Sequence, residues 1–279
     1  MGFSCKNGFF ETKQGHFVQW VHIQREGTDS KGVIFAPPLV GGAFSHEIKN
    51  MRKLIRSGYD LFSFNYAGHG KSSGKFRLKS TLDNTAEALE FLIRRSNGKP
   101  LYAVASCYSA IPLIHAAHRK NEPLKKIALI NAICHINPKA VINAFLSYHR
   151  NALDGRLSVT QMNENFRLYM AFLFPGINIS RHFFGALLRR RTDVIKTLWD
   201  VLTMNPLASV RIERTPVLGL YGKQDRVLRM YDGDVGVNYE RQILEKCPRT
   251  TFRPLHCDHF ISSRKSRELA RNTILAFFG

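Results

Sequence analysis

Short apolar runs rich in β formers alternate along this chain with amphipathic helical patterns, and few architectures accept that alternation. Strands are read at Gly32-Val33-Ile34-Phe35-Ala36, Tyr59 to Asn65, Leu101 to Ala105, Leu124 to Asn131, Pro216 to Tyr221 and Thr250 to Leu255. The first is a continuous apolar run, as expected of a strand buried on both faces. Helical patterns fill the gaps: 46–57 (Ile48, Met51, Leu54, Ile55), 81–95 (Ala86, Leu89, Leu92, Ile93), 111–120, 234–246 and 264–278. Such alternation predicts a mostly parallel, doubly wound sheet. A hairpin over residues 8–24, with Gln14-Gly15 at its turn, precedes it.

The alternation stops after residue 134 and resumes after 210. Residues 135–210 carry no convincing strand and read as helices broken at Asp154-Gly155, Pro175-Gly176 and Asn205-Pro206. The expected organisation is therefore a core over 1–134, an inserted helical cap over 135–210, and the rest of the core over 211–279. Aromatic runs such as Phe166 to Phe174 sit in the cap. They either pack on the sheet edge or line an apolar substrate tunnel.

Composition bounds the setting. No apolar run approaches the roughly 20 residues of a membrane span, and Met1 to Lys6 opens no signal-like apolar stretch. Five scattered cysteines, an odd count without zinc spacing, suit a reduced cytoplasmic protein better than a disulfide scaffold. Forty-one basic against 21 acidic residues give a net charge of +20, which favours an anionic or acidic partner. No nucleic-acid-binding motif accompanies that charge, so nucleic acid is not expected.

The chemistry centres on Ala105-Ser106-Cys107-Tyr108-Ser109, where a strand meets a helix. The layout small–x–nucleophile–x–small is that of a G-x-S-x-G nucleophile elbow, with Ala and Ser for the glycines and Cys for the serine. The plain alternative is a buried cysteine acting as a small hydrophobe. Ser106 and Ser109 fit less well, because each would put a bulky residue, Tyr108 or Ile111, where a small one is needed. An acid candidate, Asp225, follows a later strand in Gly222-Lys223-Gln224-Asp225, and His259 follows the last strand. All three fall at the carboxyl ends of strands, where open α/β sheets bind ligands.

With these segments the chain resembles the α/β-hydrolase superfamily over nearly its whole length. Asn65-Tyr66-Ala67-Gly68-His69-Gly70-Lys71-Ser72 is similar to that family's D-x-x-G-x-G-x-S turn, and Asp258-His259-Phe260 to its histidine segment. Pro37-Pro38 stands where the family usually has His-Gly, and the nucleophile resembles that of the Cys-His-Asp minority. The elbow also resembles that of the acyltransferase serving the bacterial luciferase system. The resemblance implies an eight-stranded sheet and the triad Cys107, His259 and Asp225, with His259 favoured over His256. It implies an oxyanion hole from the backbone N–H groups of Tyr108 and Leu39, Pro38 having none to offer. No cofactor is expected. The cluster His256-Cys257-Asp258-His259 is too compact to hold a metal without a second ligand segment.

Cysteine narrows the substrate. Thiolate attack on a thioester exchanges one thioester for another, whereas attack on an ester runs uphill. An acyltransferase or thioesterase acting on acyl-carrier protein or acyl-CoA is the leading expectation, and the basic surface suits either anionic donor. An ester, lactone or C–C hydrolase with the same triad and a catalytically silent binding protein are the alternatives.

Overall fold

The computed structural model describes residues 2–26, 30–40, 43–136, 192–232, 235–259, 261 and 263–279. Its sheet has eight strands in the order β1-β2-β4-β3-β5-β6-β7-β8. β1 (Phe3–Glu11) and β2 (Phe17–Arg25) form the expected hairpin, and β2 also runs antiparallel to β4 (Asp60–Phe64). The remaining pairings, through β3 (Val33–Phe35), β5 (Leu101–Ser106), β6 (Lys126–Ile130), β7 (Val217–Gly222) and β8 (Thr250–Leu255), are parallel.

Parallel strands need crossover connections, and helices supply them on both faces. On one face α1 (Phe44–Arg56) and α7 (Arg264–Phe278) pack against Ile34, Leu61, Tyr102 and Leu218. On the other, α2 (Ser80–Arg95), α3 (Ala110–Arg119) and α6 (Val237–Lys246) cover Phe35, Phe62, Ala103, Leu129 and Val217. Successive side chains of one strand, such as Tyr102 and Ala103, enter opposite layers. That explains the continuous apolar runs. α5 (Arg226–Asp232), just after Asp225, was not expected from the sequence.

Of the expected cap, 137–191 and their aromatic runs lie outside the described residues. The described remainder contains α4 (Val194–Thr203). Arg77 ties α4 to the core through Asp200, with Nε at 2.9 Å and Nη2 at 2.8 Å from its carboxylate. The Lys79 N–H donates to the same group at 2.9 Å.

The turn after β4 is built around Asn65. Its carbonyl accepts from the Ser72 hydroxyl at 2.9 Å, and its side-chain oxygen accepts the Phe44 N–H at 2.9 Å, fixing the start of α1. Gly70 sits at φ 53°, and a Cβ there would strike the Asn65 amide. Asn65 is thus a structural position, as its place in the turn implies.

Candidate active site

β5 ends at Ser106, and the chain turns into a single 3-10 turn, Cys107–Ser109, before α3. The turn is achieved by placing Cys107 itself in the left-handed region, at φ 50°. A side-chain-bearing residue pays about 1–3 kcal/mol for such backbone, and the surrounding structure must enforce it. Ser109 does so: its Oγ accepts the Ser106 N–H at 2.9 Å and donates to the Ser106 carbonyl at 2.8 Å. That use removes Ser109 as a rival nucleophile. Tyr108 is buried, its hydroxyl 3.1 Å from Thr81 Oγ1, which pins the residue after the cysteine. Its N–H belongs to the first turn of a helical segment, where backbone donors lack intrahelical partners. Cys107 keeps partial exposure, whereas Cys134, Cys247 and Cys257 are buried.

Asp225 is completely buried and has a use for each oxygen. Oδ1 accepts the Leu228 N–H at 2.9 Å, capping α5, and Oδ2 lies 2.8 Å from His259 Nδ1. The other imidazole nitrogen is left free of Asp225, and Cys107 is close enough to act electrostatically on the ring. Burial by itself lowers the pKa of this imidazole. The Cys107 sulfur and the Asp225 carboxylate outweigh it and raise the pKa to about 10. The arrangement therefore favours the imidazolium form of His259. His256, the rival histidine, is exposed.

The loops carrying acid and histidine are stitched to each other. Lys223 N–H donates to Leu255 O at 2.9 Å and Gln224 N–H to Cys257 O at 3.1 Å. Gly222 is required here, because a Cβ would run into the Cys257 carbonyl oxygen. Asn131, which sequence reasoning passed over, is the third stitch. Buried at the end of β6 with φ 45°, it donates from Nδ2 to the His259 carbonyl at 2.7 Å and accepts the Gly222 N–H at 2.8 Å. A lone amide ending a buried apolar strand at the same rim was the available signal.

Leu39 is half-buried in the loop after β3, next to the elbow strand β5. Near it lies the buried Glu47 of α1, whose pKa burial raises to about 7 against a smaller lowering by the Leu39 backbone. Among the described residues, no group of three or more His, Cys, Asp and Glu side chains is placed to hold a metal ion. No described helix is long and apolar enough to cross a membrane.

Comparison with known proteins agrees with the fold. The family model for the alpha/beta hydrolase fold matches residues 39–168. No curated protein matches the chain. Among solved structures, a hydrolase from Pseudomonas aeruginosa superposes with a TM-score of 0.64 at 15% identity, covering 98% of each chain. A Pyrococcus furiosus esterase gives 0.65 at 14% identity, over 99% of this chain and 90% of its own. An alpha-beta serine hydrolase homologue from Coxiella burnetii gives 0.54 at 11% identity, over 96% and 97%. The chain has the α/β-hydrolase fold.

Proposed function

We propose that this protein is an acyltransferase or thioesterase that acts on acyl thioesters through a covalent acyl-Cys107 intermediate. The observation that carries the reading is the pairing at the elbow. A cysteine at φ 50° between strand and helix acts electrostatically on an imidazole whose Nδ1 lies 2.8 Å from a buried carboxylate.

In the first half-reaction the Cys107 proton resides on His259, and the thiolate attacks the acyl carbonyl carbon. Asp225 holds the imidazolium and keeps Nδ1 protonated. The Tyr108 N–H donates to the carbonyl oxygen as it becomes an oxyanion. Collapse breaks the bond to the donor's sulfur, and the departing thiolate takes the proton from His259. In the second half-reaction His259 removes a proton from the acceptor, which attacks the acyl-cysteine and restores the thiolate. The acceptor is water in a thioesterase and an amine, alcohol or thiol in a transferase. A net charge of +20 suits an anionic donor such as acyl-CoA or acyl-carrier protein.

The esterase of the same fold favours a second reading, hydrolysis of an ester by the same three residues. Mass spectrometry of the intact protein separates the two. Brief exposure to an acyl thioester should add one acyl mass, removable with hydroxylamine and absent in Cys107→Ala. Faster turnover of esters without an adduct would favour the second reading. An adduct that persists in Cys107→Ala would put the nucleophile elsewhere. No modification or turnover by any thioester, ester or lactone would leave a binding protein.

A further inference from the structure

The ends of four adjacent strands carry the site, and the base has the farthest to come. In the order β5-β6-β7-β8, Cys107 follows β5, Asp225 follows β7 and His259 follows β8. Neighbouring strands lie about 4.8 Å apart, so the end of β8 is about 14 Å from the elbow. The histidine loop has to pass the ends of β7 and β6 to bring its imidazole to Cys107. It is held where it passes. Asn131, the first residue after β6, donates from Nδ2 to the His259 carbonyl at 2.7 Å, with the Asp258 carbonyl at 3.5 Å.

Asn131 is itself fixed from both sides. Ser106 of β5 stands opposite Ile130 of β6, so Cys107 and Asn131 are corresponding residues at neighbouring strand ends. Both leave their strands through left-handed backbone, at φ 50° and 45°, a conformation that asparagine accepts more readily than most residues. Two residues on, the Ile133 N–H donates to the Cys107 carbonyl at 3.1 Å. On the other side the Asn131 N–H donates to Leu220 O of β7 at 2.8 Å, and Asn131 Oδ1 accepts the Gly222 N–H at 2.8 Å, where the acid's loop begins. The Ala132 N–H donates to the buried hydroxyl of Tyr239 on α6 at 3.1 Å. One short segment thus meets the backbone of the nucleophile, of the lead-in to the acid and of the base. An amide can donate to one loop and accept from the other without placing a charge beside them.

We propose that Asn131 is a positioning residue for the base: its side-chain amide fixes the histidine loop at the end of β6, one strand from Cys107, in register with the loop that carries Asp225. The inference rests on the acyl-Cys107 reaction proposed above. The bond from His259 to Asp225 and the stitches from Lys223 to Leu255 and from Gln224 to Cys257 join the acid and histidine loops to each other. Joined in that way, the pair can still shift as a unit relative to the sulfur. Asn131 joins them to β6, and Ile133 joins the same segment to the elbow. A base works only within about 2.6–3.2 Å of the proton's donor, and a misplacement of about 1 Å can cost about a hundredfold in rate.

The test is the pH profile of Cys107 alkylation by iodoacetamide, from pH 5.5 to 9.5, read by peptide mass at a temperature where every variant is folded. Asn131→Gly removes both side-chain bonds and is unstrained at φ 45°. Asn131→Asp keeps the acceptor for Gly222 and loses the donor to His259. With the base in reach, the imidazole holds the sulfur's proton and alkylation persists below neutral pH. With the base displaced, the sulfur reacts as an ordinary thiol of pKa about 8.5, about 1% thiolate at pH 6.5. Each variant should therefore alkylate about 10–100-fold more slowly than wild type at pH 6.5 and within about twofold of it at pH 9.5. A lower melting temperature with an unchanged profile in both variants overturns the proposal and leaves the acyl-enzyme reading intact. A loss in Asn131→Gly that Asn131→Asp does not share overturns it too, because the base is then held without the Nδ2 bond. So does a wild type that itself alkylates as an ordinary thiol. A wild type that alkylates at pH 6.5 but is acylated by no thioester refutes the acyl-enzyme reading, while the profiles still decide whether Asn131 holds the base.

Discussion

Replacing Asp225 by asparagine separates the two jobs of that side chain. The amide oxygen can keep the Leu228 N–H, which Asp225 Oδ1 accepts at 2.9 Å, so α5 retains its cap. The amide NH2 then takes the place of Oδ2, 2.8 Å from His259 Nδ1. Facing a donor, Nδ1 must become an acceptor, and the proton moves to Nε2. Nε2 then points a hydrogen at the Cys107 sulfur and can no longer take one from it. What is lost is a buried hydrogen bond between ionised groups, worth about 1.5–3 kcal/mol. At 1.36 kcal/mol per decade, acylation of Cys107 should slow by about 10–150-fold.

Alkylation of Cys107 by iodoacetamide at pH 7 should slow as well, because less of the sulfur is thiolate when imidazolium is disfavoured. The melting temperature should fall as well, since the same bond stabilises the fold, though less than in Asp225→Ala. Asp225→Ala gives the contrast: it removes the cap too, costing about 1 kcal/mol of stability on top of the lost rate. Quenched-flow acylation, alkylation followed by intact mass and thermal melts read these quantities on the same samples. Unchanged acylation and alkylation in Asp225→Asn would refute the role assigned to this carboxylate, since the hydrogen bond could then matter only to folding.

Three further outcomes are expected. Gly222→Ala should displace the histidine loop, because its Cβ meets the Cys257 carbonyl; overpacking of this kind costs about 1–3 kcal/mol, and normal acylation in a stably folded variant would count against the tight approach. Asn131→Asp preserves shape and the acceptor for Gly222 but turns an anion towards the His259 carbonyl that Nδ2 now serves. It should lower stability by about 1–3 kcal/mol and slow alkylation of Cys107; a change in melting alone would limit Asn131 to a structural part. Glu47 makes stability fall with pH. Its folded pKa of about 7 exceeds the unfolded 4.5, so the folded state holds more protons in between. Its contribution is full below pH 4.5 and is lost as pH rises through 7, by about 3 kcal/mol. Glu47→Gln should therefore gain up to about 3 kcal/mol over wild type at pH 8 and little at pH 4.5; parallel stability curves from denaturant titrations would refute this.

Much of the sheet was legible because parallel strands buried on both faces leave a one-dimensional trace. Val33 to Phe35, Leu101 to Ala105 and Val217 to Leu220 are apolar without interruption, and the helices between them show one apolar face. The elbow was legible for a related reason. A strand that turns directly into a helix tolerates only small neighbours, so Ala105 and Ser109 marked the position of Cys107. What the layout could not convey was the means of enforcement. Ser109 acts as a brace as well as a small residue, holding both the N–H and the carbonyl of Ser106. α5 escaped notice because it is short, and its start depends on a carboxylate already engaged with His259.

Leu39 shows where reading along the chain stops. Counting past Pro37-Pro38 finds the first backbone N–H on the loop, and the covalent order is right. The surroundings of that N–H are decided elsewhere, by how α1 docks and where it buries Glu47. In sequence Glu47 is an ordinary acidic residue in a helix's first turn, where the macrodipole explains it without reference to any site. Only its burial and its orphaned oxygen single it out. Asn131 is similar, since an amide between two carboxyl-end loops has no motif of its own. The residues that react could be found from chain order and local backbone demand. Those that hold the reacting groups in place are joined to them through space, by hydrogen bonds whose ends lie on different strands. For a site of this design, substitution at the holding residues is the sharper test, because it alters geometry and proton position while leaving every reacting atom present.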